Sequence, residues 1–266
     1  MAQQQRKRLT NDSFRRSNDL PANSDDADVL YAKSYLLIRT MVGVLAIALP
    51  IILIIGEALF LNGTVQVRGS ISAYYHTPMR DVFVGVLCVT GFLLATYMAG
   101  QRETRDFWFS LVAGLAGLGV AFFPTARPDI ADSALRCGTV PMPDGCAPLQ
   151  QLLGETLVAG IHFFLAAVFI LSLARMAVLF AYREDEYAKR HGLATILRIC
   201  AWTIIAAIAW IVVAGWLELI IWRLTPLYVG EVVAVWAFGI SWLLKGGFAQ
   251  RYLPEPQTAQ PSADAV

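Results

Sequence analysis

The sequence contains little charge. Asp, Glu, Lys and Arg make up 15% of its 266 residues, and the net charge is +1 at pH 7, whereas a soluble domain has about 25% charged residues. So few charges cannot cover a soluble domain of this length, and this argues against a soluble enzyme or a disordered chain. Four cysteines are few for a secreted disulfide scaffold. Without a basic excess, we expect no nucleic-acid partner.

Long apolar runs occupy most of the chain instead. Hydrophobic residues make up 57% of it, and the mean hydropathy is +0.56. A spanning helix needs about 20 mostly apolar residues, and only helices satisfy the backbone of such runs in lipid. Six runs qualify: 36–61, 81–100, 107–123, 149–182, 195–222 and 227–247. The sequence therefore predicts an all-α polytopic protein of the lipid bilayer, with six transmembrane helices.

Polar segments flank this transmembrane domain, which we place at residues 24–250. Residues 1–23 and 251–266 are rich in small polar residues and are predicted to be disordered cytoplasmic ends. Ser24 precedes three acids, which is typical of a helix start, and this helix is expected to continue into the first span. Helix starts with Pro at the first position are predicted at three places: Thr77-Pro78, Pro148 and Thr225-Pro226.

The distribution of Lys and Arg predicts the orientation. With a cytoplasmic N-terminus, sixteen of the 21 basic residues lie on the inner side and five on the outer side, as the positive-inside rule requires. Both termini are then cytoplasmic. Cys137 and Cys146 lie in the 125–148 loop, which this topology places outside, where oxidising conditions favour a disulfide. Their Cα atoms should lie about 4.4–6.8 Å apart; two free thiols are the alternative.

Ionisable side chains within or beside the spans point to function, because they are costly in lipid. In the predicted topology they lie towards the outer side, whereas the inner half is expected to hold little beyond Arg and Lys at its border. We therefore predict an outward-facing polar cavity. Its candidate residues are Glu57, Ser72, Tyr75, His76, Arg80, Asp81, Glu155, His162, Glu218 and Glu231.

Several of these residues also have simpler structural interpretations. Glu155 and His162 share a helix face, and His162 suits a metal ligand, a proton relay or a hydrogen bond between helices. Asp81 suits the first turn of a helix. Glu57 has no obvious cation near it in sequence. Three charged residues lie around one outer turn, and their simpler interpretation is ion pairing at the membrane surface: Glu218, Arg223 and Glu231.

The loop before the second span is the most distinctive segment. Ser72, Tyr75 and His76 bring hydroxyl, phenol and imidazole groups together. Such a loop suits binding of a headgroup, and an interfacial aromatic anchor is the alternative. Residues 70–85 (SISAYYHTPMRDVFVG) and 117–125 (GLGVAFFPT) resemble a family of bacterial multi-pass membrane proteins of unknown function. The resemblance covers residues 36–250 and implies the bacterial inner membrane, but no activity.

A more distant resemblance is to membrane hydrolases of the alkaline-ceramidase type. Ser72 and His76 have the spacing of their Ser-x-x-x-His element, and Asp81 follows; Glu57 and Asn62 are similar to their first-helix acid and Asn. This chain departs from the family in its six predicted spans instead of seven and in lacking the late His-x-x-x-His pair. If it binds zinc as they do, the ligands would be His76, Asp81, Glu155 and His162.

Two classes of function therefore remain. One is a membrane protein that handles a lipid or small molecule without catalysis and without a cofactor, such as a transporter, sensor or assembly factor. The other is a zinc-dependent membrane hydrolase. The second class requires the four proposed ligands to converge within metal-ligand distance, whereas the first does not.

Overall fold

The structure is a computed structural model that describes residues 24–98, 103–128, 134–217 and 224–248. Helices and connecting segments make up these ranges, and no strand occurs within them. The predicted disordered ends, 1–23 and 251–266, lie outside the described residues, as do Glu218 and Arg223.

Seven α-helices follow one another in the described residues, with a short 3-10 helix (Ser72–His76) after the first and a π-helical turn (Leu244–Phe248) after the last. The α-helices are α1 (Ser24–Phe60), α2 (Arg80–Thr96), α3 (Arg105–Phe122), α4 (Pro148–Leu153), α5 (Glu155–Glu186), α6 (His191–Trp216) and α7 (Pro226–Leu243). The single helix from Ser24 into the first apolar run confirms that prediction.

Five segments in the described residues are long and apolar enough to cross a membrane: Lys33–Phe60, Arg105–Phe122, Glu155–Glu186, His191–Trp216 and Pro226–Gly246. This confirms a polytopic helical membrane protein. The second predicted span is the helix α2, which has 17 residues. At 1.5 Å per residue it is about 25 Å long, somewhat shorter than the hydrocarbon core of about 30 Å.

Two predicted helix starts are confirmed and one is wrong. Pro226 follows the N-cap Thr225, and Pro148 opens α4. However, α4 ends at Gly154, whose φ of 84° breaks the long fourth run into α4 and α5. Before α2 the N-cap is Met79, because the Thr77 hydroxyl accepts a hydrogen bond from the Met79 amide and closes a turn ahead of the helix.

The six long helices form a closed circle of contacts. In order around the circle they are α1, α2, α3, α5, α6 and α7, and α7 returns to α1. Glycines allow the backbones to approach at two of these seams. A Cβ on Gly114 would lie 2.5 Å from the Gly91 carbonyl oxygen, and one on Gly43 would lie 2.8 Å from that of Gly239.

The segment between α1 and α2 folds back into one end of this circle. Residues 70–75 are all buried although they belong to no long helix. The amide of Ala73 donates to the Ser70 hydroxyl at 2.9 Å, which holds the segment in a turn. We call residues 70–76 the plug and name that end of the bundle the plug end. The opposite end, where α1 begins and α7 is completed, is the tail end.

Candidate binding site

A pocket of about 510 Å³ opens at the plug end. Its polar side chains are three arginines and three residues of the plug and the turn that follows: Arg68, Arg80, Arg127, Tyr75, His76 and Thr77. No Asp or Glu belongs to the described lining. We call this the arginine pocket. Its size falls within the range typical of small-molecule sites, about 300–1,000 Å³.

Arg68 forms an ion pair with a buried acid. Its Nε donates to Glu57 Oε1 at 2.9 Å, and Glu57 is fully buried in the last turns of α1. Glu57 has no cation near it in sequence, and its partner Arg68 lies eleven residues further along the chain. The chain leaves α1, turns through Asn62 and Gly63, both with positive φ, and returns Arg68 to the helix end that it has just left.

Arg127 is held by a second buried acid. Its backbone amide donates to Glu155 Oε1 at 2.7 Å, and its Nη2 lies 3.1 Å from Glu155 Oε2. The same carboxylate accepts from the Cys137 amide at 3.1 Å. The remaining donors of Arg127 reach the carbonyl oxygens of Asp144 and Leu135, each at 2.9 Å. Glu155 therefore joins the start of α5 to two points of the preceding loop, Arg127 and Cys137.

Arg80 differs from the other two arginines. Its guanidinium lies 4.5 Å from the ring centre of Tyr75, and its Nη2 donates to the Tyr75 hydroxyl at 2.8 Å. Arg80 is exposed, and it forms no ion pair with a carboxylate among the described residues. Asp81, its neighbour, is also exposed and occupies the first turn of α2, so its helix-start interpretation fits better than a place in the cavity wall.

His76 forms part of the wall between the plug and the 123–128 segment. Its Nε2 donates to the Thr125 carbonyl oxygen at 2.9 Å. Burial lowers the pKa of His76 below its usual 6.5, and the hydrogen bond to Thr125 opposes that shift. The neutral ring therefore has its hydrogen on Nε2, towards the protein.

The loop between α3 and α5 completes the pocket. Cys137 and Cys146 lie at disulfide distance, and their Cα atoms are 5.7 Å apart, which confirms the predicted spacing. Gly145 and Ala147, next to this pair, line the arginine pocket. A disulfide between these cysteines would fix a part of the loop that lines the arginine pocket.

A second, smaller cavity of about 70 Å³ lies under the plug, in the centre of the helix circle. Its lining is mainly apolar, and the polar exceptions are Ser72, His162 and Glu231. One water molecule needs about 10–15 Å³ of such space, so the cavity has room for a few waters. The plug separates this central cavity from the arginine pocket, because Ser72 lines the former and Tyr75 the latter.

The polar groups of the central cavity bind other parts of the backbone. His162 Nδ1 donates to the Phe123 carbonyl oxygen at 2.6 Å, which is a hydrogen bond from α5 to the end of α3. Glu231 Oε2 accepts from the Ile71 amide at 2.5 Å and so fastens α7 to the plug. The hydroxyls of Ser70 and Ser72 lie 3.2 Å apart.

The proposed zinc ligands are not assembled into a metal site. Within the described ranges, no group of three or more His, Cys, Asp or Glu is placed to hold a metal ion. The imidazoles of His76 and His162 donate to carbonyl oxygens, the Glu155 carboxylate faces an arginine, and Asp81 is exposed. The condition set for the zinc hydrolase is therefore not met.

The tail end of the bundle also carries a cluster of polar side chains. At the tail end Arg39 is 7% exposed; it donates to the hydroxyls of Tyr97 and Tyr35 and, at 3.2 Å, to the Lys245 carbonyl oxygen. The Lys245 ammonium forms an ion pair with Glu184. In the sequence, the feature that points to this cluster is Arg39, which lies inside an apolar run four residues after Tyr35.

The comparisons with known proteins identify no relative. No protein-family model, no curated protein and no solved structure matches the chain. The resemblances to a bacterial membrane-protein family and to alkaline-ceramidase-like hydrolases therefore stay predictions, and the geometry of the two cavities carries the functional argument.

Proposed function

We propose that this is a bacterial inner-membrane protein with six transmembrane helices, whose arginine pocket opens to the outer face and binds a lipid or a small molecule. The observation that carries the proposal is the 510 Å³ pocket at the plug end. Three separate segments of the chain supply its arginines, and buried acids fix two of them, so the pocket is preformed. A preformed concave site with a few converging polar groups is typical of ligand binding.

Six spans, rather than five, are supported by the position of α2. This helix packs along α3 and contacts α1, closing the circle of six. A helix shorter than the bilayer core is accommodated by local thinning of the bilayer at modest cost. With six spans, both chain ends leave the bundle at the tail end.

The orientation is supported by two independent features. The basic residues are concentrated at the tail end and in the flanking segments, sixteen of 21 in the six-span topology, and basic residues favour the cytoplasmic side. The pair at disulfide distance, Cys137 and Cys146, lies at the plug end, and such pairs persist in oxidising compartments outside the cytoplasm.

Thiol labelling tests the location and openness of the pocket. We expect Thr77→Cys, in the pocket lining, to react with a membrane-impermeant maleimide in intact spheroplasts. The wild type is the background control, because Cys88 and Cys200 lie within helices. Glu103→Cys, exposed at the tail end, should react only after the membrane is opened. The reverse pattern would contradict the proposed orientation.

The same variant tests ligand binding. A maleimide attached at residue 77 occupies the pocket, so lipids or small molecules that copurify with unlabelled Thr77→Cys in mild detergent should be depleted from the labelled protein. Mass spectrometry of the extracted molecules measures this difference. Identical bound molecules in both samples would show that the arginine pocket is not the binding site.

A further inference from the structure

The charge of the arginine pocket is only partly compensated. Arg68 and Arg127 each pair with a buried carboxylate, Glu57 and Glu155, which are 0% and 2% exposed. Arg80 forms no ion pair among the described residues. With His76 neutral, the described lining therefore carries one uncompensated positive charge beside two oriented guanidinium groups.

Arg127 and Arg80 differ in the number of N–H donors that they leave for a ligand. Arg127 uses its backbone amide, Nε, Nη1 and Nη2 within the protein. Arg80 uses one Nη2 bond and stacks on Tyr75, whereas a guanidinium has five N–H donors. Arg80 thus keeps several donors for a ligand, and the Tyr75 ring fixes the plane in which they point.

Resting on the proposed function, we infer that the arginine pocket binds a phosphate group, carried either by a phospholipid headgroup or by a small phosphate in solution. Arg80 is the direct ligand, and it lies in one lining with Arg68 and Arg127, whose charges are compensated by carboxylates. The planar fork of arginine matches the oxygens of phosphate in a bidentate arrangement. A neutral ligand would leave the charge of Arg80 uncompensated, and a cation would be repelled by it.

The central cavity is a poor alternative site for an anion. It has about 70 Å³ of space, and its polar lining includes the Glu231 carboxyl without an arginine or lysine among the described residues. Anionic ligands are therefore expected to stop above the plug, with a phosphate at the arginine pocket and, where the ligand is a lipid, acyl chains in the bilayer beside the bundle.

Binding to purified protein in neutral detergent tests the inference with three probes. The first is inorganic phosphate, the second is a short-chain phosphatidic acid, and the third is diacylglycerol with the same chains and no phosphate. Isothermal titration calorimetry measures each dissociation constant. Arg80→Gln removes the charge, Arg80→Lys keeps the charge without the fork, and Arg105→Gln removes an exposed arginine at the tail end as a matched control.

We expect the wild type and Arg105→Gln to bind phosphatidic acid with equal affinity and not to bind diacylglycerol. Arg80→Gln should raise the dissociation constant at least about tenfold, because it removes the charged donors of the hydrogen bonds to phosphate, and Arg80→Lys should lie between. If inorganic phosphate also binds, a soluble phosphate is a sufficient ligand; if only phosphatidic acid binds, the ligand is a lipid headgroup.

Two results would overturn the inference: no binding of either phosphate probe, or equal binding by Arg80→Gln and the wild type. Neither result would by itself overturn the proposed function. Labelling of Thr77→Cys from outside and displacement of a non-phosphate molecule would still support an outward-facing binding pocket. Failure of that labelling would remove both.

Discussion

The two ends of the bundle use the same residue types for different purposes. At the plug end, Arg80 is exposed and faces a 510 Å³ pocket together with Arg68 and Arg127. At the tail end, Arg39 is enclosed by rings: its guanidinium lies 4.1, 5.3 and 5.2 Å from the ring centres of Tyr35, Tyr97 and Phe180. Residue type alone does not distinguish a binding site from a structural cluster; open space beside the charge does.

The tail-end cluster joins helices that are distant in sequence. The Arg39 side chain of α1 reaches the residue after α2, Tyr97, and the backbone of the π-helical turn at Lys245. Lys245 in turn pairs with Glu184 near the end of α5, and Arg183 pairs with Asp106 at the start of α3 at 3.2 Å. We therefore expect changes here to lower stability and leave binding intact.

The largest expected effect is at the tail end. Lys245→Met leaves the Glu184 carboxylate, whose side chain is 8% exposed, without its cation. Breaking a buried ion pair in this way costs about 3–5 kcal/mol of unfolding free energy. Adding Glu184→Leu should recover most of the loss, because the double variant buries no charge. Denaturant unfolding in detergent measures both variants; an equal loss in the double variant would show that the pair itself is not responsible.

A smaller loss of stability is expected from the plug-end crosslink. The cysteines are nine residues apart, and closing a loop of that length stabilises a protein by about 2–3 kcal/mol. Replacing both Cys137 and Cys146 by Ser should lower the unfolding free energy by that amount and weaken probe binding, since the loop lines the pocket. A reducing agent should affect the wild type but not the double Ser variant.

Glu231 offers a way to loosen the plug without touching the arginine pocket. Glu231→Leu leaves the Ile71 amide without its acceptor and should cost about 1–3 kcal/mol. Glu231→Gln keeps an acceptor oxygen and serves as the matched control. Hydrogen exchange of the plug amides checks the result: faster exchange in Glu231→Leu than in Glu231→Gln supports the fastening role, and equal exchange contradicts it.

The smallest expected effect is a pH dependence at His76. Burial lowers the pKa of His76 in the folded protein, so the unfolded chain takes up the proton first as the pH falls. Stability is then greatest above the unfolded value of 6.5 and decreases until the pH passes the lower folded pKa. His76→Gln should show a smaller drop in unfolding temperature between about pH 8 and about pH 5; an unchanged drop would assign it to other groups.

The spans could be predicted from sequence because each is a long apolar run, and a membrane leaves such runs few alternatives to a helix. The break at Gly154 was missed, since a single glycine within an apolar run gives no clear signal without knowledge of its φ. The helix start predicted at Thr77-Pro78 was too early, because the Thr77 hydroxyl closes a turn before Arg80 instead of capping the helix.

The site could be predicted only in part. Depth along the spans placed Glu57, Glu155 and His162 at one end of the bundle, but sequence could not show their partners. Glu57 meets Arg68 because the chain turns back, and Glu155 meets Arg127 through a folded loop. Acids and histidines within the apolar runs gave the clearest signal in the sequence, whereas the arginines line the open pocket.

The most direct test of this account is the ligand-induced shift in unfolding temperature for a matched pair of variants, Arg80→Gln and Arg39→Gln, measured with short-chain phosphatidic acid. The account predicts that Arg39→Gln unfolds at a lower temperature than the wild type but keeps the full ligand-induced shift. It predicts that Arg80→Gln unfolds like the wild type without ligand and loses the shift. A full shift in Arg80→Gln, or its loss in Arg39→Gln, would contradict the assignment of binding to the plug end.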